Sequence, residues 1–286
     1  MKISKDQIKE IIEKRISESR LNNFAALGFD DEPMWDGPVI GFGRGDDPYF
    51  SFLIRHIGGF HWLPAEAFRL ETGDIAVRAE DLCIVSIGFP QTRKTKELNA
   101  ESSKEPTPRW TVSRGEWELF IKDLGKRIVD DIAEAGARAV VIDLIEGFQR
   151  ETSEKYGAAS TWSHRHAAFA CGLGTFGLSG GLITRKGQAV RLATVLVECD
   201  IEADGRSYTD FDEWCGFRAG CRDCIDRCPV SAISDTGRDK NKCSDHLDYL
   251  KEKYANEGTL SPDGLSGCGL CQCGVACQDG PHTSAL

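Results

Sequence analysis

Hydrophobic residues recur along the chain at a helical period in two places. Near the amino terminus, Ile8, Ile11 and Ile12 stand between charged residues at the spacing of a surface helix. Further on, apolar residues repeat every three or four positions, which predicts a long helix with one buried face. These residues are Trp117, Phe120, Ile121, Leu124, Ile128 and Ile132.

Three short apolar runs predict buried strands. Leu82 to Ile87 is followed by Gly88 and Pro90, and the runs at 139–145 and 189–199 are equally apolar. The order of strand, connection, helix and strand predicts an α/β layer.

Three segments lack a clear period. Residues 33–62 mix glycine, proline and aromatic residues, so we expect an irregular pocket wall or a packed surface loop. Residues 91–109 are polar and contain two prolines, which is typical of a lid, a binding loop or disorder. The polar stretch 203–213 predicts a domain boundary, with one domain over residues 1–205 and another over 206–286.

Composition and charge narrow the function. The 286 residues carry 41% hydrophobic side chains and a net charge of −10, as expected of a globular protein with two domains. An acidic chain repels phosphate backbones and anionic membranes, so we expect neither nucleic acid nor membrane as a partner. No apolar run reaches the length of a membrane span or a signal h-region, which predicts a cytoplasmic protein.

Cysteines supply the most specific chemical signal. Cys215-x5-Cys221-x2-Cys224-x3-Cys228-Pro229 differs from the bacterial ferredoxin run only in its longer first spacer. In such a run the fourth cysteine binds a second cluster, so further ligands are required. Cys268, Cys271 and Cys277 follow, and Cys243 stands alone between the two runs. The eight thiolates predict two 4Fe-4S clusters.

The other four of the 12 cysteines are Cys83, Cys171, Cys199 and Cys273. Three of them lie in or beside apolar segments, where a free cysteine packs as a small hydrophobe. Cys273 could replace a neighbouring ligand, but one intervening residue is a poor chelate spacing. Structural zinc is the alternative metal, since C-x2-C pairs also occur in zinc ribbons.

At these residues the chain resembles the epoxyqueuosine reductase-like proteins, which are related to reductive dehalogenases. The resemblance covers roughly residues 80–286 and rests on four motifs together. These are RHAAFACGLGTFGLSGGLITRKG at 165–187, the ferredoxin run, NKC at 241–243 and CGLC at 268–271.

The resemblance implies a nitroreductase-like core, of α+β type, that holds cobalamin against a ferredoxin-like module with two clusters. A donor such as ferredoxin or flavodoxin would supply electrons, and the reduced cobalt would act on a small molecule. It further implies that the outer cluster uses Cys215, Cys221, Cys224 and Cys277, and that the inner cluster uses Cys228, Cys243, Cys268 and Cys271.

Two departures from the family pattern concern the substrate. The tRNA-modifying members carry an aspartate proton donor where this chain has Ala158. They also carry a helical-repeat extension that grips tRNA, for which few residues remain after Cys277. The tRNA substrate is therefore not expected.

Gly172, Gly174 and Gly177 fit the dinucleotide pattern G-x-G-x-x-G. A dinucleotide site requires this pattern between a strand and a helix, whereas here a predicted helix, 164–171, precedes it. We expect the glycines to end that helix and to allow a flat cofactor to approach the backbone. Thr184 and Lys186, in the turn before the last strand, are candidates for contacting a corrinoid phosphate or amide, or for a solvated basic turn.

His164, Arg165, His166 and Tyr156 are the candidate catalytic residues. Residues two apart on a helix face different ways, so one of the two histidines is expected to be solvated. In dehalogenases a tyrosine donates the proton beside a basic residue, and the resemblance gives Tyr156 that role.

Three functions remain open from the sequence. The first is a cobalamin-dependent reductase of a small molecule. The second is an electron carrier or corrinoid activator without a substrate of its own, with residues 91–109 as a docking loop. The third is a flavin-dependent reductase with the same fold.

Overall fold

The computed structural model describes residues 3–260 and 264–282. Helices pack on both faces of one sheet, and the cysteine-rich part contains mostly short elements together with one long helix. The helices are α1 (Lys5–Glu18), α2 (Pro48–Ile57), α3 (Pro64–Thr72), α4 (Arg93–Glu101), α5 (Pro108–Gly115), α6 (Trp117–Glu134), α7 (His164–Ala170), α8 (Asp223–Asp226) and α9 (Lys240–Asn256).

The strands are β1 (Val39–Arg44), β2 (Leu82–Pro90), β3 (Arg138–Val141), β4 (Arg150–Ser153), β5 (Gly157–Ser160), β6 (Gly174–Phe176), β7 (Leu182–Thr184), β8 (Val190–Glu198), β9 (Ile233–Ser234) and β10 (Gly237–Arg238). Among the described residues they form one four-stranded sheet and three two-stranded ribbons. The large sheet has the order β1-β2-β8-β3, and the ribbons are β4-β5, β6-β7 and β9-β10.

Every neighbouring pair in the large sheet is antiparallel. The connection through α4, α5 and α6 joins β2 to β3, which run parallel to one another with β8 inserted between them. The mixed α and β content agrees with the prediction, and the antiparallel pairing makes the fold α+β rather than a parallel α/β layer.

Both faces of the sheet are covered because successive side chains of a strand point to opposite sides. Val85 and Ile87 of β2 pack with buried residues of α1 and α6. Leu82 and Ile84 of the same strand pack with residues of α2, α3 and α7 on the other face. All nine residues of β2 are buried, so this strand is central to a three-layer core.

Several elements confirm the sequence predictions. Helices α1 and α6 and strands β2 and β8 lie where the periodic patterns indicate, with Ile8 and Ile12 buried. The predicted strand at 139–145 is shorter than expected, because β3 ends at Val141 and a 3-10 turn follows over Ile142–Leu144.

The prediction for residues 33–62 missed two regular elements. Strand β1 has the sequence VIGFGR, whose two glycines hide its alternation. Helix α2 carries a complete start signal, with Asp47 as N-cap and Pro48 in the first turn. Its buried Phe50 and Leu53 stand three residues apart, which is the spacing of one helix face.

The prediction of a structureless segment at 91–109 is wrong. Helix α4 begins after the N-cap Thr92, and α5 begins after the N-cap Thr107 and Pro108. The inner face of α4 is polar, with Thr95, Lys96 and Asn99 buried, so a search for hydrophobic periodicity passes over it.

The described residues after β8 contain short elements and α9, and residues 199–207 have no helix or strand. Tyr208 then packs on the core, and its hydroxyl donates to the Phe169 carbonyl at 2.6 Å. The domain boundary near residue 205 stays a prediction. Within residues 3–260 and 264–282, no helix is both long and apolar enough to cross a membrane.

Candidate functional site

Four of the predicted cluster ligands surround one small cavity. They are Cys215, Cys221, Cys224 and Cys277, and Gly177 and Val275 form further parts of its wall. The chain folds tightly here, because a 3-10 turn over Gly216–Ala219 leads through the left-handed Gly220 into α8.

A hydrogen bond from the backbone to a side chain positions Cys277, which is far from the other three cysteines in the sequence. The amide of Ala276 donates to Asp223 Oδ2 at 2.7 Å, which fixes the segment of Cys277 against α8. Burial, together with the neighbouring thiols, raises the pKa of Cys224 to about 11 and that of Cys277 to about 12. Metal binding at this cavity must therefore displace protons.

The second predicted group consists of Cys228, Cys243, Cys268 and Cys271. Burial comes first among the causes that raise the pKa of Cys268 to about 11, and the nearby Cys243 and Cys228 add to it. Burial and the proximity of Cys268 and Cys243 likewise raise the pKa of Cys271. The structure therefore brings these four cysteines near one another, although Cys228 lies 40 residues before Cys268 in the sequence.

The turn between Cys268 and Cys271 depends on a glycine. Gly269 has a φ of 64°, and a Cβ atom there would lie 1.9 Å from Cε2 of Trp110. Helix α5, which carries Trp110, thus closes over the CGLC motif, and only glycine permits the approach.

Gln188 links the two groups, and the sequence analysis did not select it. Its Nε2 donates to Cys277 Sγ at 3.1 Å and to the Cys271 carbonyl at 2.8 Å, while Ser179 Oγ donates to its Oε1 at 2.9 Å. The side chain is buried. No spacing rule reveals such a residue, because its role depends on two cysteines more than 80 positions away.

Within residues 3–260 and 264–282, no three histidine, cysteine or carboxylate side chains converge closely enough to share one metal ion. Zinc in a structural site draws its thiolates to about 2.3 Å from a single ion. A four-iron cluster is larger, and its four thiolates surround it. Around the first cavity, four thiols line a single space.

The four remaining cysteines behave as packing residues. Cys83, Cys171 and Cys273 are almost completely buried, and Cys199 is half-buried at the edge of the core. Cys273 packs against Trp110 and Ala189. This burial agrees with leaving it out of the ligand set.

The two histidines of α7 face different ways, as expected, but neither is fully solvated. His164 Nδ1 shares a hydrogen bond with Thr194 Oγ1 at 2.9 Å, and its Nε2 lies 3.5 Å from Asp143 Oδ2. His166 Nδ1 shares one with Ser163 Oγ at 2.6 Å. Burial and the nearby Arg165 lower the pKa of His166 to about 3, so its imidazole is neutral at pH 7.

Tyr156 lies in the turn between β4 and β5 and is 37% exposed. Its hydroxyl shares a hydrogen bond with Nε2 of His56, whose pKa is lowered by burial and by Lys155. The basic partner of Tyr156 is therefore His56 of α2, which the sequence analysis did not predict.

Arg165 and His166 lie close to one another and to the β4–β5 ribbon, and we call the space between α7 and this ribbon the cleft. Lys240 joins them, because its Nζ donates to the Tyr156 carbonyl at 2.9 Å and to the Ala158 carbonyl at 2.6 Å. His164 lies on the other side of α7, against Asp143. The structure thus brings together three of the four predicted catalytic residues and separates the fourth.

The three glycines after α7 each approach protein backbone or side chains. A Cβ atom at Gly172, which has a φ of 75°, would lie 2.2 Å from the Gly205 carbonyl oxygen. One at Gly174 would lie 1.9 Å from the Ile183 carbonyl oxygen, and Gly177 lines the first cysteine cavity. These contacts account for the glycines, and cofactor binding by them stays a prediction.

The same glycines follow a helix and enter a strand. Gly172 comes after the end of α7 and Gly174 begins β6. This is the reverse of the order that a dinucleotide site requires.

Thr184 and Lys186 form a turn away from the cleft. Thr184 Oγ1 donates to the Gly187 carbonyl at 2.9 Å, and Lys186 Nζ donates to the Gly37 carbonyl at 2.9 Å. Lys186 lies in a surface groove beside α1. Their contact with a corrinoid stays a prediction.

The comparisons with known proteins agree with the family resemblance. No protein-family profile matches the chain. An epoxyqueuosine reductase of Leadbetterella byssophila is 30% identical over 165 residues, which are 55% of this chain and 47% of that protein. The chain is similar in sequence to the epoxyqueuosine reductases. A second such enzyme, from Staphylococcus aureus, is 25% identical over 248 residues, covering 82% of this chain and 59% of that protein.

The chain spans about half the length of these epoxyqueuosine reductases. Among solved structures, the epoxyqueuosine reductase of Streptococcus thermophilus matches with 18% identity and a TM-score of 0.48, over 91% of this chain and 66% of that one. Another matched epoxyqueuosine reductase was solved with an epoxyqueuosine-modified tRNA-Tyr stem loop, at 16% identity and a TM-score of 0.46, over 92% and 64% of the two chains.

Proposed function

We propose that this chain is an iron-sulfur reductase that passes single electrons through two 4Fe-4S clusters to a cofactor in the α7 cleft, where a small molecule is reduced. The observation that supports this proposal most strongly is the position of the cysteines in the folded chain. The eight cysteines chosen by spacing form two groups, and the first group surrounds a cavity. The names of the two curated relatives support the class of reaction.

The cleft offers polar atoms to a cofactor. Arg238 Nε is buried there and has no hydrogen-bond partner among the described residues, and Arg165 and Lys240 lie near it. Such atoms are costly unless a ligand or water satisfies them. A corrinoid, which the resemblance implies, carries many amide groups and would supply a one-electron metal centre when bound. A flavin is the alternative flat cofactor, and the same atoms suit either one.

The residues of this chain would bind and orient the ligand and hold protons near it. Tyr156 and His56 share a hydrogen bond at the ribbon, so either can hold a proton there. His166 is neutral and accepts no proton in the ordinary pH range. Ala158 donates no proton, and its carbonyl instead accepts from Lys240.

The electron-carrier alternative loses part of its basis. It used residues 91–109 as a docking loop, whereas these residues form α4 and α5 and pack on the protein through Asn99 and Trp110. Whether this chain, like the relative solved with a tRNA stem loop, binds RNA stays open to test. The net charge of −10 opposes such binding.

Reconstitution without air, with iron and sulfide, tests the proposal. We expect about eight irons for each chain and the broad absorption near 400 nm of iron-sulfur clusters. Cys243→Ser should lose roughly half of the iron, because each four-iron cluster needs four protein ligands. Cys273→Ser, at a buried packing position, is the matched control and should keep it.

Titration of the reconstituted protein with cobalamin and with flavin then identifies the cofactor. Binding of cobalamin with a change in its spectrum supports the leading proposal. Zinc without iron in the purified protein, or retention of a flavin in place of cobalamin, would contradict it.

A further inference from the structure

Three positively charged side chains meet in the cleft at the turn around Gly180. Arg165 Nη1 donates to the Gly180 carbonyl. The guanidinium of Arg238 approaches the same glycine from β10, so that a Cβ atom there would lie 3.7 Å from its Nη2. Lys240, two residues further, holds the β4–β5 ribbon through two backbone carbonyls.

None of the three forms an ion pair with a carboxylate of residues 3–260 or 264–282. Other arginines of the protein do pair with acids, as in Arg109 with Glu32 at 2.7 Å and Arg138 with Glu198 at 2.6 Å. In the cleft, by contrast, Arg238 Nε is buried and lacks any hydrogen-bond partner in the described structure. The adjacent acid, Asp239, instead accepts from the amides of Asn241 and Lys242 at the start of α9.

This grouping is unfavourable without a ligand. Like charges repel, and the buried Nε of Arg238 has lost hydration that a counter-ion would restore. Loss of solvent and the proximity of Arg238 lower the pKa of Arg165 to about 10. Loss of solvent and the two arginines also lower the pKa of Lys240. Each shift disfavours the positive charge and agrees with a missing anion.

Planar guanidinium groups bind the two oxygens of a carboxylate or phosphate with paired hydrogen bonds. Arg238 also lies near Cys271, where it favours the thiolate, so one role for it is to balance the second group of cysteines. That role does not extend to Arg165 and Lys240, which contact the Gly180 turn and the ribbon.

We propose that Arg165, Arg238 and Lys240 form a binding site for an oxyanion, a carboxylate or phosphate group carried by the molecule that enters the cleft. The inference rests on the proposed function and narrows the ligands of the cleft to anionic ones. The anion can belong to a small acidic substrate or to the phosphate of a nucleotide-bearing corrinoid, and both present the same oxygens.

Calorimetry on the full chain with its iron restored tests the site, with benzoate and inorganic phosphate as probes. We expect Arg165→Gln and Arg238→Gln to weaken binding of at least one probe by tenfold or more, because each removes a charge-assisted pair of hydrogen bonds. Arg165→Lys should recover part of the affinity. Arg127→Gln is the control, since Arg127 pairs with Asp123 on the exposed side of α6 and should leave binding unchanged.

A comparison of two corrinoids, cobalamin and cobinamide, distinguishes the two sources of the anion. Cobinamide lacks the nucleotide phosphate that cobalamin carries. If Arg165→Gln weakens cobalamin binding tenfold and leaves cobinamide unaffected, the site takes the cofactor phosphate. If both corrinoids bind each variant as they bind the wild type while benzoate is lost, the site takes the substrate acid.

Equal binding of both probes and both corrinoids by wild type and variants, at equal iron content, would overturn the inference and leave the proposed function intact. If Arg238→Gln alone loses iron, Arg238 acts by balancing the charge of the second cysteine group. The binding of the probes by Arg165→Gln then decides whether the anion site exists. A chain that binds benzoate through Arg165 but takes up neither iron nor corrinoid would refute the proposed function and retain the site.

Discussion

Single hydrogen bonds to sulfur decide how an iron-sulfur site of this kind behaves. Gln188 donates to Cys277 Sγ, and the amide of Ala232 donates to Cys228 Sγ at 3.1 Å. A donor at a ligand sulfur stabilises the additional negative charge of a reduced cluster and raises its potential. Each of the two cysteine groups therefore has a hydrogen-bond donor of its own that would raise the potential of its cluster.

Gln188→Leu should lower the reduction potential of the cluster at the first cavity. One hydrogen bond of about 0.5 to 1.5 kcal/mol corresponds to roughly 20 to 65 mV for one electron. A redox titration followed by electron paramagnetic resonance measures the change. Gln149→Leu, which removes an exposed amide that donates to Glu151, should leave both potentials unchanged. An unchanged potential in Gln188→Leu would dismiss the role of this residue.

Sequence motifs identify some residues of the site and miss others. Spacing selects the cysteines because a cluster requires ligands at short intervals. His56 and Arg238 join the cleft from α2 and β10, and neither stands in a motif. His56 matters through its hydrogen bond to Tyr156, and Arg238 matters through its approach to Gly180. Both contacts join residues that are far apart in the sequence and form only when the chain folds.

At the scale of elements, helix α5 is the support of the CGLC turn. Trp110 lies flat where a side chain of residue 269 would begin, and Asn99 of α4 donates to the Cys268 carbonyl at 3.3 Å. Two helices in a segment expected to be a loop thus shape one of the cysteine groups.

Gly269→Ala should disrupt this group. The new Cβ atom would collide with Trp110 in a backbone conformation that alanine adopts poorly, at a cost of roughly 2 to 4 kcal/mol. We expect loss of about half of the iron and a lower melting temperature. Gly258→Ala is matched in conformation, with a φ of 73° and no atom within 4 Å, and should cost only about 1 kcal/mol. Equal effects of the two substitutions would show that the collision is unimportant.

At the scale of the whole molecule, the two parts of the chain differ in how they are stabilised. The sheet is covered on both faces by large apolar clusters. The apolar clusters that include the cysteine-rich residues have far fewer members, such as Leu250, Tyr254 and Leu260. With so little apolar burial, this part would depend on the proposed clusters for stability.

Removal of the clusters by a chelator should therefore release the cysteine-rich residues first. Hydrogen exchange is expected to rise around Cys215–Cys228 and Cys268–Cys277, while the amides of β2 and β8 stay protected. Helix α5 should show an intermediate response, because Trp110 packs on the CGLC turn. Simultaneous loss of protection in β2 and in the cysteine segments would show that the chain unfolds as a single unit.

Sequence patterns alone predict the eight cysteine ligands and account for the periodic elements. Apolar spacing predicts α1, α6, β2 and β8, because burial against one sheet imposes those periods on a chain. Elements whose inner faces are polar or glycine-rich, α4 and β1, carry no such period and were missed.

Only the tertiary structure decided which residues share a site. The convergence of Arg165, Arg238 and Lys240, the bridge made by Gln188 and the separation of His164 from His166 join or divide distant positions. The energies of these contacts depend on distance and burial, and a sequence contains neither until its elements are packed.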